Sequence, residues 1–305
     1  MKTFRLTHPF VSAAGALLLA VIAFASGVTA ISILNKTSLP TEAVAAAAEA
    51  FPTPVVLDPT ALIAQAAVVY DPLDGRILYA KNSQTPLPLA SLTKLITASA
   101  VLASVPTNTQ VAITSEDLAP DGDWGFQVGD SVAVSDLLRI GLIASSNDAM
   151  QAAASSLGPN YLGSMQAIVE SMGISDMRFY NPTGLDTSTT TAGAYGSAYD
   201  MARIAAAFSR SYPQYFDLTT QSKVSIPDGG RTLSATATAV PLEDVPGLVG
   251  AKTGYTDLAG GNLVAVFDIE VGHPIVLVVL GSTEDGRFSD MKMLINAART
   301  QTPNL

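Results

Sequence analysis

The order of strand-like and helix-like segments is the feature that most limits how this chain can fold. Two apolar runs at 66–70 and 76–80, separated by Asp-Pro and Asp-Gly, predict a strand hairpin. Helical patterns follow at about 92–102, 134–143, 148–157, 161–172 and 199–208. Strand patterns then lie at 223–226, 231–240, 249–255, 262–269 and 274–281, before a closing helix at about 287–298. This order predicts an α/β fold whose first and last strands meet in one sheet, with an all-α lobe inserted between them.

The N-terminal segment looks like an export signal. Lys2, Arg5 and His8 precede a run from Phe10 to Asn35 that contains no charged residue. A cleaved signal peptide has an apolar region of about 7–15 residues, whereas a membrane span needs about 20. The run has the length of a span but also contains small-x-small cleavage sites, so we favour a retained membrane anchor and keep a cleaved signal peptide as the alternative.

The chain is expected to have three parts. Residues 1–37 are the signal peptide or anchor, residues 38–60 are a linker rich in Ala, Pro and Thr, and residues 61–305 are one domain. The basic N-terminal flank predicts that the domain lies outside the cell. It would sit on the outer face of the cytoplasmic membrane if the anchor is retained, and would be secreted or periplasmic if the signal is cleaved.

Composition excludes several kinds of site. The 305 residues include no Cys and only two His, which rules out a disulfide framework, a thiolate zinc site and a Cys nucleophile, and leaves little room for a Ser-His-Asp triad. A net charge of −10 argues against a nucleic-acid partner. Composition therefore predicts no nucleic-acid partner, and of metal sites it leaves open one held purely by carboxylates.

Ser91 and Lys94 form the first candidate catalytic pair. They stand three residues apart in Ser-Leu-Thr-Lys at the start of an apolar helical run, so both lie on one helix face. A lysine can take a proton from a serine only if its amine is neutral, and burial or a nearby cation would lower its pKa. The pattern is weak alone, because Ser is a common N-cap and Ser289–Lys292 has the same spacing.

Two further motifs follow in order. Ser145 and Asn147 lie between two predicted helices, where a loop can present a hydroxyl and a carboxamide to a cleft. Lys252-Thr253-Gly254 lies on a predicted strand, where a glycine often marks the close approach of another backbone.

Taken together, S-x-x-K, S-x-N and K-T-G in this order resemble the serine penicillin-binding proteins and β-lactamases. The segments NPTGLD at 181–186, SAYDMARIA at 197–205 and KTGYTDLAGGNLVAV from 252 look like the D-alanyl-D-alanine carboxypeptidase family of low-molecular-mass penicillin-binding proteins. The resemblance covers about residues 66–298. It implies a β-lactamase-like fold, an antiparallel sheet flanked by helices with an inserted helical subdomain.

The resemblance also implies an activity and its partners. The chain would be a serine-type carboxypeptidase that removes the terminal D-alanine from peptidoglycan stem peptides. It would need no cofactor and no metal, and penicillins and other β-lactam antibiotics would inhibit it. The cytoplasmic membrane would be a further partner through the N-terminal segment.

Residue roles follow by the same resemblance. Ser91 matches the nucleophile and Lys94 the base, while Ser145 and Lys252 match the pair that passes a proton to the leaving amine. The other matching residues would contact the substrate: the Asn147 amide, Thr253 and Arg287 near the terminal carboxylate, Gly254 in the K-T-G strand, and the backbone N–H of Tyr255, which with that of Ser91 would form the oxyanion hole.

The sequence departs from the family pattern at two places, and two alternative functions remain. Val249-Gly250 replaces the Asp-Gly common before K-T-G, and an Ala-Thr repeat at 235–240 replaces an Asn-x-Asn stretch; we expect neither to touch the chemistry.

A serine β-lactamase is one alternative function, although no E-x-x-L-N loop lies between Asn147 and Lys252, and Glu170 looks solvated. A penicillin-binding sensor or an envelope-binding protein without turnover is the other alternative function.

Overall fold

Short strands and helices precede three long C-terminal strands. The computed structural model describes residues 56–122, 125–228 and 230–301. In chain order its strands and helices are β1 (Ala66–Asp71), β2 (Arg76–Lys81), β3 (Leu87–Pro88), α1 (Lys94–Ser104), β4 (Gln110–Ala112), β5 (Ser131–Ala133), α2 (Val134–Ile143), α3 (Asn147–Ser155), α4 (Tyr161–Ser171), β6 (Arg178–Phe179), β7 (Ala194–Gly196), α5 (Ala198–Ser211), α6 (Pro213–Phe216), β8 (Lys223–Asp228), β9 (Arg231–Thr236), β10 (Leu248–Thr256), β11 (Gly260–Glu270), β12 (His273–Ser282) and α7 (Gly286–Gln301).

The central sheet has five antiparallel strands in the order β10-β11-β12-β1-β2. β1 pairs with β12, with Ala66 opposite Leu280. The expectation that the first and last strands meet is therefore confirmed. β10 ends the order, which leaves one of its edges free of a strand neighbour and open to the helical lobe.

The sheet buries apolar side chains on both faces. Val264 and Val266 belong to a core shared with the helices of the lobe, and the alternating residues Leu263 and Ala265 belong to a second core. That second core is closed by α7, whose Leu294 is fully buried. Alternation along a strand thus divides the interior into two layers and fixes the register of the sheet.

The segment that carries Ser91 and one strand differ from the sequence expectations. The helix expected at 92–102 begins as a 3-10 turn, Ala90–Thr93, and is α-helical only from Lys94. The strand expected at 231–240 ends at Thr236, because the chain then leaves the β8–β9 hairpin and turns toward β10. Five short strands, β3 to β7, have too few residues to show a period in the sequence.

Buried Asp290 holds the chain entering the domain. Its carboxylate accepts hydrogen bonds from the backbone N–H groups of Ile63 and Ala64, at 2.9 and 2.8 Å, and from the hydroxyl of Ser282 at 2.7 Å. The N-terminal end of the described chain is thereby tied to α7 and β12.

The expected signal peptide or anchor, residues 1–37, lies outside the described residues, as does most of the expected linker. Between residues 56 and 301, short gaps aside, none of the helices combines the length and apolar character needed to cross a bilayer.

Candidate active site

Ser91 lies in a sharp turn that joins β3 to α1. The preceding residue, Ala90, has a φ of 47°, a left-handed conformation that residues with a side chain rarely adopt. The Thr93 hydroxyl donates to the Ala90 carbonyl at 2.8 Å and helps to hold this geometry. The turn leaves Ser91 half-buried at the start of α1.

Three oxygen atoms surround the Lys94 amine. Its Nζ lies 2.6 Å from Ser91 Oγ, 2.7 Å from Asn147 Oδ1 and 3.1 Å from the carbonyl oxygen of Thr183. The Asn147 amide nitrogen donates to the Asp121 carbonyl at 2.6 Å. That bond orients the carboxamide so that its oxygen faces Lys94.

The setting of Lys94 favours a neutral amine. Complete burial lowers the pKa of Lys94 well below its usual value, and the charge of Lys252 lowers this pKa further. A neutral amine has two N–H groups and one lone pair. The oxygens of Asn147 and Thr183 can only accept, so they take both N–H groups and leave the lone pair for the Ser91 hydroxyl. The arrangement can therefore deprotonate Ser91.

Ser145 and Lys252 form a second Ser-Lys pair across the cleft. The Lys252 amine donates to Ser145 Oγ at 2.8 Å and to the Thr253 carbonyl at 2.9 Å. Ser145 has a φ of 61°, so the loop between α2 and α3 also adopts a left-handed conformation at the residue whose hydroxyl contacts Lys252.

Lys252 and Arg287 are both buried cations. Burial lowers the pKa of Lys252 to about 7, and the charge of Arg287 contributes to this shift. The Arg287 guanidinium donates from Nη1 to the Gly254 carbonyl at 2.9 Å, with 8% of the residue exposed. Arg287 is thus attached to the strand that carries Lys252, and its nearest paired carboxylate, Glu284, is 3.9 Å away and mostly exposed.

The K-T-G strand lies directly against the Ser91 turn. A Cβ added to Gly254 would be 3.0 Å from the Leu89 carbonyl oxygen and 3.1 Å from the Ser91 nitrogen. Pairing with β11 is regular from Ala251 to Thr256, so Lys252 and Gly254 keep one side of β10 and Thr253 the other. Only a glycine allows the strand to come this close to the nucleophile.

A loop not assigned a role from the sequence completes the Lys94 site. The Asn181 side-chain oxygen accepts hydrogen bonds from the backbone N–H groups of Thr183 and Gly184, at 3.2 and 2.7 Å. This turn holds the Thr183 carbonyl against Lys94. The segment NPTGLD was visible in the sequence, but nothing in it indicates that its backbone, rather than a side chain, meets the lysine.

Thr238 is a second residue that sequence reasoning missed. The Thr253 hydroxyl donates to the Thr238 hydroxyl at 2.6 Å. The Ala-Thr repeat at 235–240, which is expected not to touch the chemistry, therefore contacts a predicted substrate-binding residue through Thr238. The repeat carries no motif, and the contact exists only because the chain turns toward β10 after β9.

A cavity of about 500 Å³ adjoins the cleft. Asn181 and Thr183 line one part of it, and Tyr255, which is 46% exposed, lines another. The cavity therefore lies next to the loop whose Thr183 carbonyl contacts Lys94. Among the described residues, no group of three or more acidic or histidine side chains is placed to hold a metal ion.

Comparison with known proteins decides the family. The family model Peptidase_S11, D-alanyl-D-alanine carboxypeptidase, matches residues 53–284. The chain belongs to this family.

Individual members are similar over most of the domain. The chain is 30% identical over 253 residues to D-alanyl-D-alanine carboxypeptidase DacA of Haemophilus influenzae, a match that covers 78% of this chain and 62% of DacA. It is 32% identical over 232 residues to the D-alanyl-D-alanine endopeptidase of Pseudomonas aeruginosa, covering 72% and 71% of the two chains. The chain therefore spans less than two thirds of the DacA carboxypeptidase.

A solved member of the penicillin-binding proteins has the same fold. Penicillin-binding protein D2 of Listeria monocytogenes, crystallised with cefotaxime, has a TM-score of 0.69 and 26% identity, with 78% of this chain and 97% of that chain covered. The predicted fold class, an antiparallel sheet flanked by helices with an inserted helical lobe, is confirmed.

Proposed function

We propose that the chain is a serine-type D,D-carboxypeptidase that removes the terminal D-alanine from peptidoglycan stem peptides. The observation that carries this proposal is the Lys94 amine, which is buried and lies 2.6 Å from Ser91 Oγ. Family membership supports the peptide substrate, and β-lactam antibiotics would acylate the same serine.

The first half of the reaction forms an acyl-enzyme. Ser91 Oγ bonds to the carbonyl carbon between the two D-alanines while its proton passes to Lys94. The backbone N–H groups of Ser91 and Tyr255 stabilise the tetrahedral oxyanion, and one such donor is typically worth about 2.7–4 kcal/mol. The peptide C–N bond then breaks, and the leaving amine takes a proton from Lys252 through Ser145, which accepts the hydrogen bond of Lys252. Lys94 then loses the proton that came from Ser91 and Lys252 regains one, so the acyl-enzyme has Lys94 neutral and Lys252 charged again.

The second half of the reaction hydrolyses the acyl-enzyme and regenerates the free enzyme. Water attacks the Ser91 ester, its proton passes to Lys94, and the shortened peptide leaves as Ser91 Oγ is protonated again. Both halves require Lys94 neutral and Lys252 charged. This division agrees with the two shifts: burial, and after it the charge of Lys252, lowers the pKa of Lys94 well below its usual value, whereas burial lowers the pKa of Lys252 to about 7.

The placement of Glu170 argues against the β-lactamase alternative. Its side chain is exposed on α4 and accepts a hydrogen bond from Gln166, so it is not aimed at an acyl-enzyme on Ser91. We therefore propose peptide hydrolysis as the turnover reaction, on the outer side of the cytoplasmic membrane, with residues 1–37 as its signal peptide or anchor and residues 61–305 as its catalytic domain.

The test is multiple turnover. The full-length chain, in detergent micelles, is incubated with a diacyl-D-Ala-D-Ala peptide, and released D-alanine is counted per mole of protein, with Ser91→Ala as the matched control. Many equivalents released, and none from the control, would establish the activity. One equivalent or none from a folded chain that penicillin still labels would favour a sensor, and cleavage only of cross-linked dimers would favour an endopeptidase.

A further inference from the structure

Thr238 is more exposed than Thr253, its hydrogen-bond partner in the K-T-G strand. Thr253 has only 3% of its surface exposed, whereas Thr238 is half-buried and opens to solvent. The two hydroxyl oxygens are 2.6 Å apart, with Thr253 donating. Of the two residues, Thr238 is therefore the more accessible from solvent.

The hydrogen bonding of this pair leaves one donor available. A hydroxyl has a single proton, and that of Thr253 is already given to Thr238. Among the described residues, no hydrogen bond uses the Thr238 hydroxyl as a donor. A hydroxyl that accepts one hydrogen bond becomes a stronger donor in a second one. The Thr238 hydroxyl, which accepts from Thr253, is therefore a stronger donor toward a further acceptor.

The surroundings favour an anion as the acceptor. Lys252 and Arg287 are both buried close to Thr253: Lys252 precedes it in the strand and donates to its carbonyl, and Arg287 donates to the carbonyl of Gly254. No carboxylate of the described residues lies within 3.5 Å of either cation, since the nearest ion pair is Arg287 with Glu284 at 3.9 Å. Buried cations without a close counter-ion attract an anionic group.

Thr238 is held in place from both sides of the cleft. Its backbone N–H donates to the carbonyl of Ile143, at the end of α2 and two residues before Ser145, at 3.2 Å. Its side chain meets Thr253 on β10. It therefore bridges the loop that carries one proposed proton-relay group and the strand that carries the other.

We propose that Thr238 is a specificity-determining residue: its hydroxyl donates to a carboxylate oxygen of the substrate's C-terminal residue while it accepts a hydrogen bond from Thr253. This inference rests on the proposed function, because the carboxylate is that of the terminal D-alanine. Thr253 then acts partly through Thr238 rather than as the sole contact. A hydrogen bond to a charged group is typically worth about 1.5–3 kcal/mol, or roughly 10- to 100-fold in kcat/KM.

The experiment compares a substrate that has a free C-terminal carboxylate with one that has a neutral C-terminal carboxamide. Wild type, Thr238→Val, Thr238→Ser and the control Thr236→Val, an exposed residue at the end of β9, are assayed on diacyl-D-Ala-D-Ala and on its C-terminal carboxamide. We expect Thr238→Val to lose about 10- to 100-fold in kcat/KM on the free acid, mainly through a higher KM, and little on the carboxamide. We expect Thr238→Ser to keep the preference of the wild type for the free acid over the carboxamide, and Thr236→Val to behave as the wild type.

Equal losses on both substrates, or no loss on the free acid, would overturn the role of Thr238. The rates of acylation by benzylpenicillin and by its methyl ester give the same comparison without turnover. A wild-type chain that is acylated but releases no D-alanine contradicts the proposed function while still testing Thr238. A folded chain that is neither acylated nor active contradicts both.

Discussion

Asn147 and Lys94, 53 residues apart in the chain, share a 2.7 Å hydrogen bond between the carboxamide oxygen and the amine. The bond joins the first turn of α3 to the first turn of α1. It occupies one N–H of Lys94 with a group that carries no charge, and so orients the amine while stabilising its protonated form less than an anion would. A carboxylate in the same place would stabilise the protonated form much more strongly.

Asn147→Asp is therefore expected to raise the pKa of Lys94, because an adjacent negative charge favours the ammonium form; such pairs shift a pKa by about 1–3 units. Acylation by a fluorescent penicillin should fall at least about tenfold at pH 7, with the pH optimum moved upward. Asn147→Ala, the matched control, removes the hydrogen bond without adding charge. An optimum that moves equally in both variants would show that charge at this position is not what matters.

Arg287 is expected to set the basic limb of the pH profile. The proposed relay needs charged Lys252, whose pKa is about 7, so acylation should fall as pH rises through that value. Arg287→Leu removes the neighbouring positive charge, which raises the pKa of Lys252 and moves the basic limb to higher pH. Arg287→Lys keeps the charge and should leave the limb near its original position. A limb unmoved by Arg287→Leu would contradict the assignment to Lys252.

Gly254→Ala should separate the K-T-G strand from the nucleophile. The added Cβ would lie 3.0–3.1 Å from the Leu89 carbonyl, the Ala90 side chain and the Ser91 nitrogen, two of which are backbone atoms that cannot easily move. A misplacement of about 1 Å can cost on the order of 100-fold in rate. We expect penicillin acylation to fall by about this factor, with a smaller change in thermal unfolding. Near-normal acylation would show that the close approach is not required.

Asp290 is expected to matter for stability and not for chemistry. Asp290→Ala leaves the N–H groups of Ile63 and Ala64 without their acceptor, and an unsatisfied buried donor costs about 1–3 kcal/mol. Urea unfolding should show a loss of about 2–4 kcal/mol. Ser289→Ala, in the same helix, should change stability by no more than about 0.5 kcal/mol. It also tests the second S-x-x-K, at 289–292, which is expected to leave acylation unchanged.

Much of the fold could be predicted because its long elements have clear periods. α2 matches the expected range 134–143, and the sheet forms from the strands expected at 66–70, 76–80, 249–255, 262–269 and 274–281. The short strands could not, because they have too few residues to show a period, and the end of β9 at Thr236 could not, because the chain leaves the β8–β9 hairpin there although the sequence pattern continues to residue 240.

The site was predictable only where a side chain lies within a motif. Ser91, Lys94, Ser145, Asn147 and Lys252 come together as expected, in two hydrogen-bonded groups. The Thr183 carbonyl and the Thr238 hydroxyl were missed, because one is a backbone atom and the other lies in a repeat whose sequence is uninformative. The left-handed conformation of Ala90 was equally invisible, since alanine carries no preference for it.

Mapping the acylated residue tests the central claim most directly. The full-length chain and Lys94→Met are treated with benzylpenicillin, and the adduct is located by peptide mass spectrometry over a time course. We predict one penicilloyl group per chain, on Ser91, and a large loss of the acylation rate in Lys94→Met although circular dichroism shows it folded. An adduct on another residue, or equal rates in the two proteins, would contradict the assignment of Ser91 as nucleophile and Lys94 as its base.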